Sequence, residues 1–284
     1  MTVRPAADAA RREANRTAAS AAPSPLPRRG LLRTVLASTL PPALAVALAL
    51  LAWSAWVRLR DVPGYLVPTP EAVARALIDD PWRFVDAGRA SLVEALGGLV
   101  LGAGGALLLA VVMAHSRPLE RALYPLALVV KVTPVVAVAP LFIIWFGFGI
   151  WPKLLVAALI TFFPMLVNAV TGLRDVDPAA LDFLRSLHAS RWQVFWRLRG
   201  PASLPYLFAA LRISVPLALI GAVVAEWMSG DGGLGQVILI ANGDFDTASL
   251  FAAVLVLAAL AVLLSGALAL LERTVLFWHE SFEG

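Results

Sequence analysis

The chain has 284 residues, of which 60% are hydrophobic and 15% charged, with a mean hydropathy of +0.81. No soluble domain can hide so much apolar surface, so the composition predicts an all-α polytopic membrane protein. The absence of cysteine excludes disulfides and thiolate chemistry, and His115, His188 and His279 are too scattered for a metal cluster.

Residues 1–30 are rich in Ala, Pro and Arg without apolar periodicity and read as a disordered tail. Arg28-Arg29 before an apolar run has the look of a twin-arginine signal, but the run is long enough to span and further spans follow. The first span covers about residues 32–57, with Pro41-Pro42 near its start. The stretch PTPEAVARALIDDPWRFVDAG after it reads as one or two amphipathic surface helices. The second span, about 90–114, carries Gly98, Gly102 and Ala106, a row of small residues that lets helix backbones approach closely. The third, about 122–147, is interrupted by Pro125, Pro134 and Pro140, and the fourth covers about 152–173.

A polar and aromatic island at 177–201, DPAALDFLRSLHASRWQVFWRLRGP, separates the fourth span from the fifth. Asp177-Pro178 is a helix start. Leu181, Leu184 and Leu187, with Phe183, make an apolar face, while Asp182, Arg185 and Ser186 lie opposite. His188-Ala189 breaks the pattern, Ser190 caps a second short helix, and Gly200-Pro201 ends it. Such a helix needs a cover, either the lipid surface or a soluble partner. The fifth span covers about 204–228. The loop at 229–248 carries three Asp and a Gly cluster that no strand precedes, so it is not a phosphate cradle. The sixth span, about 249–271, has no charge.

With the N-terminus inside, fifteen Lys and Arg fall on inner segments and six on outer ones, which places both termini in the cytoplasm. Trp53, Trp56, Trp82, Trp145, Trp151 and Trp227 fall at outer ends, and Trp192, Trp196 and Trp278 at inner ones, as aromatic belts require. The basic pI near 10.1 therefore reflects membrane sidedness, not nucleic acid.

Ionisable residues within spans are functional candidates. Lys131, about ten residues into the third span, counts to ~15 Å of depth, near the midplane. It reads either as an electropositive point on an anion path or as half of an ion pair with Glu94 or Glu226. Glu94 and Glu226 lie near outer ends and Arg212 near an inner end, positions from which side chains snorkel to the interface. Asn168 and Thr161 read as interhelical hydrogen-bond glue. Neither a Walker A sequence nor H-E-x-x-H or G-x-S-x-G occurs, so the chain is read as a transport component and not an enzyme.

The segment from Asp182 to Pro201 resembles the cytoplasmic EAA loop of ABC-importer permeases. Asp182 falls on its Glu, His188 on its Gly, Leu198 on its Ile and Pro201 on its Pro. Phe183-Leu184 replace the two Ala and Gly200 replaces Leu. The runs TPVVAVAPLFIIWFGFG, RSLHASRWQVFWRLRGPASLPYLFAALRI and VVAEWMSGDGGLG are similar to the nitrate, sulfonate and taurine type of permease. FFPMLVNAVTGL followed by RSLHAS also looks like members handling pyrimidine precursors of thiamine, or riboflavin. The similarity covers about residues 65–280.

That resemblance implies the type I ABC-importer permease fold over residues 31–284, with six spans and a coupling helix between the fourth and fifth. It implies a homodimer around one path, two ATPase subunits, an extracytoplasmic binding protein and a lipid membrane, with ATP and Mg only on the ATPase. Coupling is then expected of Leu181, Asp182, Phe183, Leu184, Arg185, Ser186, Leu187, His188, Ala189 and Ser190. The path is expected to involve Lys131, Thr133, Asn168 and Glu226. The substrate would be a small anion or, in the other branch, a pyrimidine precursor or riboflavin. His at the Gly position is compatible with a left-handed turn, since His is among the residues enriched there. A self-contained carrier would be expected to show inverted repeats, and none is seen between the halves. A structural membrane protein would leave the 177–201 island without a purpose.

Overall fold

The computed structural model describes residues 30–277, with side chains from residue 40 onward, Ala43 apart. All but the last residue of the tail expected at 1–30, together with Trp278 and His279, lies outside the described residues. Within that range the regular structure is helical, and the chain falls into two units, Met1–Trp56 and Val57–Gly284. The first contains most of α1 (Gly30–Leu59), which runs through Pro41 and Pro42.

In the second unit, α2 (Pro70–Asp79) begins as an extended Thr69 accepts from the Ala72 N–H at 3.3 Å, with Pro70 in its first turn. Arg58 pairs with Glu71 at 2.6 Å and holds that carboxyl below its usual range. Asp80 then caps α3 (Pro81–His115) by accepting from the Arg83 N–H. The second half of the amphipathic surface stretch is thus the start of the second span, nine residues earlier than its apolar run. At 35 residues α3 is ~52 Å long, well beyond a ~30 Å hydrocarbon core.

The third span is not one rod. α4 (Arg117–Val132) and α5 (Val135–Phe146) meet at 97°. Of the three prolines only Pro134 breaks the chain. It holds Thr133 extended, at φ −68° and ψ 125°, while Pro125 and Pro140 sit inside their helices. Among the described residues five helices are long and apolar enough to span a membrane, or six with the bent pair taken as one.

α6 (Ile150–Arg174), α3 and α8 (Arg191–Ser229) form the centre, and small residues let them meet. A Cβ on Gly98 would lie 2.8 Å from the Leu154 carbonyl oxygen, and one on Gly221 would lie 2.7 Å from Ala157 Cα. Ala157 is thus pressed between α3 and α8 and is fully buried. The Gly98/Gly102 row does what its spacing predicts. Met113, Leu166, Leu173 and Ala210 fill the core nearer the 177–201 connection, and Leu99, Phe208, Leu219 and Leu268 fill a second one.

Two further elements depart from the sequence reading. Gly200-Pro201 does not end a short helix, because α8 continues through it to Ser229. Phe195–Arg199 widens into a π-helical turn in which the Gly200 N–H reaches the Phe195 carbonyl. A proline in a regular helix would clash with the carbonyl four residues back, and the widened turn accommodates Pro201. The loop at 229–248 contains a helix, α9 (Gly233–Gly243), that buries Leu234, Gly235, Val237 and Ala241. It is entered through Gly230, Gly232 and Gly233 at φ 60°, 72° and 85°, a path natural to glycine. The last span is α10 (Thr247–Val275), capped by Asp246 accepting from the Ser249 N–H.

Candidate functional site

The connection between α6 and α8 carries α7 (Pro178–Ser186), started by Asp177 accepting from the Ala179 N–H at 2.9 Å. Its end is closed twice. The His188 N–H donates to the Arg185 carbonyl at 2.9 Å and the Ala189 N–H to the Leu184 carbonyl at 3.0 Å, a Schellman closure. The motif needs a left-handed residue, and His188 supplies it at φ 55°. Ser190 then caps α8 in a full capping box: its Oγ accepts from the Gln193 N–H at 3.2 Å, and Gln193 Oε1 accepts from the Ser190 N–H at 2.8 Å. Sequence reading named Ser190 and missed Gln193, although the S-x-x-Q spacing was in view.

The apolar face of α7 is divided. Leu181 and Leu184 are half-buried, whereas Phe183 and Leu187 are 63% and 61% exposed. Four residues apart, these two lie together on one face as an uncovered knob. Asp182 and Arg185 pair at 3.1 Å, both exposed.

At the opposite end of the bundle lies a network that sequence reading dispersed. Lys153 Nζ, on α6, donates to Glu94 Oε1 of α3 at 2.8 Å and to the Asp231 carbonyl. Glu226, fully buried on α8, accepts from Ser91 Oγ at 2.6 Å and from the Gly235 N–H. Ser91 Oγ in turn accepts from the Leu234 N–H at 2.8 Å. Glu94 and Glu226 therefore do not snorkel; α9 folds over them. A Cβ at Gly235 would lie 2.7 Å from Glu226 Oε2, so glycine admits the carboxylate. Glu94 and Glu226 are also not partners of Lys131. The available signal was that Glu94, Lys153 and Glu226 sit at the same level of three spans.

Lys131 is exposed in the last turn of α4, its Nζ 4.9 Å from the Phe163 ring centroid, a cation–π contact with α6. Counting residues along one straight helix does not give its depth, because the helix ends one residue later. Thr133 Oγ1 donates to Val129 O at 2.8 Å at the bend. Asn168 Nδ2 donates to Pro164 O at 2.9 Å, and Thr161 Oγ1 to Ala157 O at 3.0 Å. Both bonds stay within α6, so neither residue is interhelical glue. Glu226 lies in the far network instead of beside Lys131. Arg212 makes a two-pronged pair with Glu272 of α10, at 2.9 and 2.6 Å, and does not simply snorkel.

The chain is 40% identical over 240 residues to the riboflavin transport system permease protein RibX of Chloroflexus aurantiacus, covering 82% of this chain and 88% of the relative. It is 35% identical over 242 residues to the formylaminopyrimidine transport permease protein ThiX of Halalkalibacterium halodurans, covering 85% and 96%. It is 36% identical over 194 residues to the putative aliphatic sulfonates transport permease protein SsuC of Bacillus subtilis, covering 68% and 70%. Among solved structures, the inward-facing MetNI methionine ABC transporter shares the fold. The TM-score is 0.62 at 17% identity, over 68% of this chain and 96% of that one. The family model described as the binding-protein-dependent transport system inner membrane component matches residues 102–277, including α7 and the start of α8. The chain thus belongs to that family, as a multi-pass inner-membrane permease subunit of an ABC importer, which sets aside the self-contained carrier.

Proposed function

We propose that this permease moves a nitrogen heterocycle, a pyrimidine or riboflavin, delivered by a binding protein and driven by a separate ATPase docked on α7. The exposed pair Phe183 and Leu187, held by the Schellman closure at His188, carries the coupling reading. An apolar knob at the position of the EAA loop is what an ATPase groove would take, from Leu181 to Ser190. In this reading two copies of the chain enclose the path and two ATPase subunits carry ATP and Mg. The bend with Lys131 and Thr133, together with Asn168, would face that path, and Glu226 would brace its far end. The heterocycle is supported by likeness to the permeases named for riboflavin and formylaminopyrimidine, over more than four-fifths of this chain.

A sulfonate is the second reading, favoured by the 36% identity to the SsuC permease. ATP hydrolysis by the reconstituted complex separates the two. Stimulation by a binding protein loaded with riboflavin or formylaminopyrimidine, and not with an alkanesulfonate, is the expected outcome. Stimulation by the sulfonate alone would overturn the heterocycle. Failure of the ATPase to co-purify would overturn the coupling reading itself.

A further inference from the structure

Behind α7, on the side away from Phe183 and Leu187, lies a cleft of about 270 Å³ lined by His115, Arg185, Arg191 and Arg199, with Leu181 and Val194 on its apolar side. Three elements build it: the last turn of α3, the inward side of α7 and the first turns of α8. The π-helical turn belongs to this construction, because it includes Arg199, whose Nη1 donates to the Ala114 carbonyl at 3.4 Å.

Of the three arginines, Arg185 is paired with Asp182, but Arg191 and Arg199 are not neutralised by the protein. Glu120, the acidic residue of the neighbouring corner, pairs with Arg174 at 2.5 Å, and Asp182 is taken by Arg185. Among the described residues no carboxylate lies within ion-pair distance of Arg191 or Arg199. Beside the cleft, Trp192 and Trp196 are 68% and 58% exposed, and with Phe195 form a cluster of rings 5.4 to 6.0 Å apart. Exposed tryptophans at the end of a spanning helix sit at the headgroup level of a bilayer. Basic pockets between spanning helices at that level suit anionic headgroups.

We propose that this cleft holds the phosphate of an anionic phospholipid, with Arg191 and Arg199 binding it and Trp192 and Trp196 lying along its glycerol and upper chains. The bound group rests against the inner side of α7, so the lipid forms part of the seat on which the knob is carried. An acidic patch of a docked protein is the less suited occupant, because the knob points away from the cleft.

The test uses the full-length chain, delipidated in detergent and titrated with phosphatidylglycerol or phosphatidylcholine, with retained lipid read by native mass spectrometry. Phosphatidylglycerol is expected to be retained and phosphatidylcholine not. Each arginine is worth about fivefold in affinity, so R191Q/R199Q weakens retention about 25-fold. R191K/R199K, which keeps the charge, retains the lipid, and R83Q at the opposite end of α3 changes nothing. Equal retention of the two lipids, or no effect of R191Q/R199Q, overturns the proposal. Displacement by millimolar inorganic phosphate overturns the lipid in favour of a free-phosphate site. Loss of ATPase co-purification from R191Q/R199Q in phosphatidylcholine alone, with R191K/R199K unaffected, assigns the charges to a protein partner and overturns it as well.

Discussion

Single side chains decide both ends of this molecule. Lys153 is buried and gives its charge to Glu94 and to the Asp231 carbonyl. Removing one member of a buried pair leaves the other charge uncompensated, at a cost of about 3–5 kcal/mol. Lys153→Met is therefore expected to lower the thermal midpoint sharply, and adding Glu94→Gln to recover part of the loss. A thermal-shift series in detergent checks both, and an unchanged midpoint for the single variant would show that the pair is not what holds this end. His188 tests the other end. A left-handed residue with a Cβ costs roughly 1–2 kcal/mol, and a β-branched one suits the position worst. His188→Gly should keep the ATPase bound, whereas His188→Val should unwind the end of α7 and release it in a pull-down. The resemblance that sets His188 on the Gly of the EAA loop made its positive φ legible beforehand. The Lys153 network was not, because ion pairs across 59 residues of sequence leave no local pattern.

At the scale of elements, the sequence was legible where periodicity and small-residue spacing act alone. Gly98 and Gly102 foretold a close helix contact, and the structure supplies α6 as the partner. Replacing Gly102 by Leu should force those backbones apart, since even a Cβ there would lie 3.0 Å from Ala158 Cα. Overpacking costs about 1–3 kcal/mol, and the fall in midpoint should exceed that of Gly104→Leu, whose Cβ would meet nothing. Hydropathy failed where tertiary structure overrides it. It gave α4 and α5 as one span interrupted by prolines, without the 97° between them, and it left 229–248 as a loop. Gly233 and Gly235 instead clear space for Glu226. For α7 the face was legible, but its division was not: only packing distinguishes Leu184, half-buried, from Leu187. Phe183→Asp or Leu187→Asp should therefore release the ATPase with little effect on folding, while Leu184→Asp should also destabilise the permease. Because Phe183 is bulkier than the Ala of the EAA pattern, an ATPase from another importer should couple poorly. ATP-driven uptake with such a swapped subunit checks this.

Across the whole molecule, one end carries α7 and the arginines, and the other carries the Glu94–Lys153–Glu226 network. The excess of Lys and Arg on the segments expected inside comes from their positions along the chain, not from overall composition. If, as the Lys and Arg bias predicts, both termini are inside, fluorescent fusions at either end should fold and glow, while alkaline phosphatase fusions there should be inactive. The inverse result would turn the molecule over and put α7 beyond the reach of any ATPase. The network has a mechanical consequence. Ser91, Glu226 and the α9 backbone are joined in one buried chain of hydrogen bonds, so α3, α8 and α9 must travel as a single lever arm. Whatever swings this arm has its pivot elsewhere, and the 97° corner at Thr133-Pro134 is where we expect the joint. Locking the arm to itself should then cost no motion. A cross-linked Gly88→Cys/Leu234→Cys pair is expected to leave uptake intact, while Pro134→Ala, which stiffens the corner, should slow it.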